Sequence, residues 1–150
     1  MKTRYFALIV GLLFLMVGIF GFLPAFVTLP TGAPGIQVDA PTLSFDDGYG
    51  YVLGLFPTNF LHNAVHIVVG LLGIAAFTSF SGSRVFNQGF AISYILIALM
   101  GLFPVTNTTF GLMPIFGNNV WFNAITALVA FYFGFIEPAA EAEREVTAAS

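Results

Sequence analysis

The sequence predicts an all-α polytopic membrane protein: a four-helix bundle made of two tandem helical hairpins, with a long outer loop between the first and second helices. Three observations predict it. The 150 residues are 58% hydrophobic and only 7% charged, against about 25% charged residues in an ordinary soluble globule. Four apolar runs, at about residues 5–23, 59–80, 85–103 and 119–136, approach the roughly 20 helical residues that cross a hydrocarbon core. Finally, with four spans Lys2, Arg4, Arg84 and Arg144 all fall on one side, while stretches 24–58 and 104–118 carry no Lys or Arg. The basic side is the cytoplasmic one, so both termini are expected inside and both of those loops outside.

The first run follows Lys2 and Arg4, and its 19 or so residues exceed the 7–15 of a signal-peptide apolar region. It reads as an uncleaved anchor. The outer loop 24–58 begins as Pro/Gly-rich turn chemistry and continues with Tyr49, Tyr51 and Phe56, which suit the headgroup interface or a cap on the bundle. Asp46-Asp47-Gly48 lacks the alternating oxygen ligands of a calcium loop.

The second run opens Asn59-Phe-Leu-His62-Asn63-Ala-Val-His66, and the fourth opens Asn119-Val-Trp-Phe122-Asn123-Ala-Ile-Thr126. These match at a constant offset of 60, and Leu55-Phe56 against Ile115-Phe116 extends the match. Two parallel hairpin repeats follow from it. Asn59, His62, Asn63, His66, Asn119, Asn123 and Thr126 form a polar intramembrane cluster on two helical stripes continued by Gly70, Gly73, Ala130 and Gly134. Small residues permit close helix approach and the polar ones bond across it, so the stripes are expected to face each other, with Gly11 and Gly18 allowing a similar approach by the first helix. The third run, interrupted by Asn87, Gln88 and Ser93, has the least defined start. The tail 137–150 is Ala/Glu-rich and reads as a solubilising cytoplasmic segment.

The chemistry available is narrow. There is no cysteine, and His62 and His66 are the only histidines. Four apart on a helix they share a face, and they are the candidate ligands of a metal, a haem or a chlorophyll-type pigment. A bis-histidine haem would need its second ligand from elsewhere, because one helix face cannot reach both sides of the ring. Ligation is the alternative; the favoured reading is structural, with neutral imidazoles bonded to Asn119, Asn123, Thr126 or loop carbonyls in a structural or accessory subunit of a membrane assembly. Both histidines lie in the outer half of the membrane, roughly 5 and 10 Å past Asn59. From His66 to Thr78 no relay residue follows, which argues against proton transport. No nucleophile–base pair, carboxylate pair or phosphate loop is present, so no enzyme is expected. Four basic against seven acidic residues argue against a nucleic-acid partner. Lipid, a homo-oligomer or a larger membrane complex are the expected partners.

From Leu43-Ser-Phe45 through Leu53-Gly-Leu-Phe56 to Leu61-His-Asn-Ala-Val-His66 and Gly70-x-x-Gly73, and over nearly the whole chain to Ile136, the sequence resembles a family of small bacterial membrane proteins, domain of unknown function 4383. The resemblance implies four transmembrane helices, an uncharacterised activity, and the plasma membrane or an internal energy-transducing membrane of a bacterium. It also implies a histidine early in the fourth helix, where this chain has Phe122, the repeat partner of His62. A ligand set shared between the hairpins would lack one member here.

Overall fold

The computed structural model describes residues 1–29 and 49–138. The first half of the outer loop with Asp46 and Asp47, and the tail with Arg144, lie outside the described residues. Helix α1 spans Lys2–Gly21, α2 Phe60–Ala76, α3 Phe80–Met100 and α4 Asn118–Phe131, the last continued by a π-helical turn, Tyr132–Ile136. The described chain is mostly helical. Three stretches, Lys2–Gly21, Phe80–Met100 and Asn118–Ile136, are long and apolar enough to cross a membrane, while α2 is apolar but only 17 residues long.

Two boundaries differ from the expected ones, for local reasons. The second helix begins only after Phe56–Thr58 has been taken into a strand, and it ends at Ala76 because the chain turns at Phe77–Ser79. The third helix starts at Phe80, five residues before the expected point. There the Ser79 hydroxyl accepts from the Gly82 N–H, an N-cap within what reads as a Ser/Gly turn. Arg84 therefore sits in the second turn of α3, on its exposed side, rather than in a connection.

The all-α expectation also needs one addition. A three-stranded antiparallel sheet, β1 Val27–Thr28, β2 Gly50–Val52 and β3 Phe56–Thr58, forms from the described parts of the outer loop. Val27 pairs with Val52, and Tyr51 with Pro57. Leu53 and Gly54 turn the β2–β3 hairpin with φ of 55° and 68°. Gly54 adopts that conformation freely, whereas Leu53 does so against its Cβ. The sheet touches α1 and α4. Val52 is fully buried, and burial, reinforced by the adjoining Tyr49 hydroxyl, pushes the Tyr51 phenol up to about 12.

Helix α1 packs most extensively on α2, and α3 on α4. Glycine makes the first contact possible. A Cβ on Gly11 would lie 2.7 Å from the Ile74 nitrogen and 2.8 Å from the Gly70 oxygen, and one on Gly73 would lie 2.8 Å from the Ala7 oxygen. The centre of the bundle is aromatic. Phe14, with no exposed surface, meets Phe90 and Tyr94 edge-on, each at 5.1 Å, within a core that includes Val10, Ala91, Ala127 and Ala130. Ile9, Leu12, Leu71, Leu96, Ile125 and Leu128 point outward.

Polar contacts close the end of the bundle that carries the N-terminus. Arg4 donates to the carbonyls of Phe77 (2.8 Å) and Thr78 (3.2 Å) at the C-terminus of α2, where a cation meets the helix dipole favourably. Lys2 pairs with the buried Glu137 at 3.0 Å. Asn87 donates to the Thr3 carbonyl at 3.1 Å, and Gln88 to the Gly134 carbonyl inside the π turn at 3.0 Å. A side chain bonded into the backbone ladder is a recognised cause of such local irregularity.

Candidate functional site

At the opposite end, the N-termini of α2 and α4 lie beside the sheet and the loop 104–118. Thr58-Asn59 before an apolar run is a helix-start signal. The Asn59 side chain accepts from the His62 N–H at 2.9 Å, and its own Nδ2 donates to the Leu112 carbonyl at 2.8 Å. Asn119 reciprocates. Its Nδ2 reaches the Pro57 carbonyl at 2.7 Å and the Pro114 carbonyl at 3.1 Å, while Asn118 donates to the Leu55 carbonyl at 3.0 Å. Each of these two helices thus begins with an asparagine that binds the loop preceding the other.

The histidines do not bond to the fourth helix. Nε2 of His62 and Nε2 of His66 lie 3.1 Å apart, one donating to the other, with the rings nearly perpendicular. Both are buried, at 6% and 7% exposure. The carbonyls of Pro57 and Pro114 flank the His62 ring, and its buried Nδ1 makes no hydrogen bond of normal geometry. His66 rests on the Phe14 ring, centroids 4.8 Å apart. Val17, Phe56, His66, Asn119 and Phe122 line a cavity of about 20 Å³, enough for one water.

Two expectations about the cluster are corrected. First, the stripes do not face each other along their length. The glycine half of the α2 stripe is used against α1, so α2 and α4 come together only around the cavity and the loops. Second, Thr126 is not part of the cluster. Its hydroxyl donates to the Phe122 carbonyl of its own helix at 2.7 Å and it is only half-buried, the usual way a helical threonine satisfies itself. Asn63 is held by Thr58, whose hydroxyl donates to the Asn63 Oδ1. Asn123 is buried on the inner face of α4.

Several working residues were not singled out by their sequence alone. Thr58, Asn118 and the carbonyls of Pro57, Leu112 and Pro114 belong to this site, and Arg4, Asn87 and Glu137 to the other end. A lone acid closing the fourth apolar run, with Lys2 opening the first, was the available signal for the Lys2–Glu137 pair. Backbone carbonyls carry no such signal. Among the described residues no three His, Cys, Asp or Glu side chains come together as a metal cluster.

No match to the chain was found among curated proteins or among solved structures. The profile of one family, described as Domain of unknown function (DUF4383), matches residues 4–136. With nearly all of the helical chain matched, this protein belongs to the DUF4383 family.

Proposed function

We propose that this chain is a small, non-enzymatic integral membrane subunit that crosses the bilayer four times with both termini in the cytoplasm, and that it serves as a structural or accessory element of a homo-oligomer or larger bacterial membrane assembly. What supports this reading is how the polar groups are used. The amides and hydroxyls near the helix ends bind loops and neighbouring helices, leaving the outward faces of the helices mainly to Leu, Ile, Val and Phe, with Ser93 an exposed hydroxyl in the middle of α3. Helix α2 falls at the lower end of the range of 17–25 residues seen for spanning helices.

The reciprocal bonds of Asn59 and Asn119, residues equivalent at the offset of 60, support descent of the two hairpins from one duplicated unit. The basic residues support the orientation, since Lys2, Arg4 and Arg84 gather at the end where α1 begins and α2 stops.

Single cysteines test the orientation in this cysteine-free chain. Val105→Cys is expected to react with a membrane-impermeant maleimide in intact cells, and Ser81→Cys only after permeabilisation; the reverse pattern would invert the topology. Crosslinking in native membranes, with mass determination in mild detergent, tests the partner. A complex well above the 16.1 kDa of one chain is expected, and an isolated monomer in both settings would remove the accessory-subunit reading.

A further inference from the structure

We propose that His62 and His66 chelate one late first-row transition-metal ion, copper or zinc, through their two Nε2 atoms. The distance fits. Two imidazole nitrogens, each about 2.0–2.1 Å from one tetrahedral ion, stand about 3.3 Å apart, and here they stand 3.1 Å apart. The ring centroids are only 4.5 Å apart, closer than two rings aligned nitrogen to nitrogen would stand. The rings therefore meet at an angle rather than head to head, and small rotations bring both lone pairs onto a common ion.

The surroundings supply what a ligand pair needs. A metal-binding histidine usually donates its other ring N–H to a carbonyl or carboxylate, which fixes the tautomer and raises its basicity. The Pro57 and Pro114 carbonyls flank the His62 ring, and Asn119 anchors those same two carbonyls through its Nδ2. The buried Nδ1 of His62, without a normal hydrogen bond, is the atom that such an arrangement would employ. Two protein ligands leave coordination positions open, and the cavity beside His66 and Asn119 has room for one water-sized ligand to take one of them.

The same dimensions disfavour a tetrapyrrole, since the two Nε2 atoms lie 3.1 Å apart and the adjoining space has room for only about one water. An ion with only two side-chain ligands is exchangeable, so loading and release are the expected behaviour. The chelate rests on the fold alone, and absence of a membrane partner would leave it untouched.

The test uses the full chain in lipid nanodiscs, brought by dialysis to equilibrium with Cu(I) under anaerobic reducing conditions or with Zn²⁺, and assayed for metal held in excess of empty nanodiscs. About one equivalent of at least one of the two ions is expected per chain, identifying which is preferred. His62→Gln and His66→Gln should each weaken retention by about tenfold to a hundredfold or more, since loss of an outer partner alone costs that much. Nitrogen-15 NMR of the wild-type imidazoles gives a readout independent of variant folding, with both Nε2 resonances moving on loading. Retention no greater than that of the double Gln variant, or metal held with the Nε2 resonances unmoved, would overturn the proposal.

Discussion

Replacing Gly70 with leucine is expected to abolish the packed bundle, and even Gly70→Ala should cost about 2–3 kcal/mol, the upper part of the range for overpacking. The atoms in the way are backbone. A Cβ at residue 70 would lie 2.5 Å from the Leu15 nitrogen and 2.8 Å from the Gly11 oxygen. No rotamer change relieves that contact; α1 and α2 must move apart, and the dispersion contacts along the seam go with them. Gly89 provides the control. A Cβ there meets nothing within 4 Å, so Gly89→Ala should be neutral or stabilise by up to about 1 kcal/mol through helix propensity. Reversible unfolding in mixed detergent micelles measures both, and equal losses at the two positions would refute the seam argument.

Asn119→Ala should destabilise by about 2–4 kcal/mol. One amide nitrogen serves two carbonyls, of Pro57 and Pro114, at a residue 3% exposed, and each buried acceptor left bare costs roughly 1–3 kcal/mol. Asn119→Asp should be no better, because a carboxylate set against two carbonyl oxygens cannot donate to either. Thr126→Val marks the opposite extreme. Its hydroxyl only duplicates a bond within its own helix, so the change should stay within about 0.5 kcal/mol. The same unfolding experiment ranks the three variants, and an Asn119→Ala variant as stable as Thr126→Val would show that the loop carbonyls find other donors.

What could be read from the chain was the part written in side-chain periodicity. The apolar runs located four helices, and the spacing of Gly11, Gly18, Gly70 and Gly73 marked surfaces of close approach. Which surface met which was not readable, because a glycine fits equally well against any backbone. The α2 stripe therefore looked suited to α4 although it packs on α1. The start of α3 was hidden because Ser79, Ser81 and Ser83 resemble a turn, whereas Ser79 caps the helix and Ser83 is buried with its hydroxyl on the Ala76 carbonyl. The small sheet was missed for a related reason. Strands of two and three residues are too short to show an alternating pattern.

The candidate site divided along the same line. His62, His66, Asn59 and Asn119 stood out because polar side chains in an apolar run demand a reason. Their partners are main-chain oxygens of Pro57, Leu112 and Pro114, which look alike at every position of a sequence.

The bond from Asn59 to Leu112 spans 53 residues, and this bears on how the protein is made. At a synthesis rate of about 5–20 residues per second, the acceptor leaves the ribosome roughly 3–10 s after its donor. During that interval the first hairpin exists without the oxygen that its asparagine binds in the finished fold. Arrival of the second half then acts as the latch, so a product truncated before residue 112 would keep an open end.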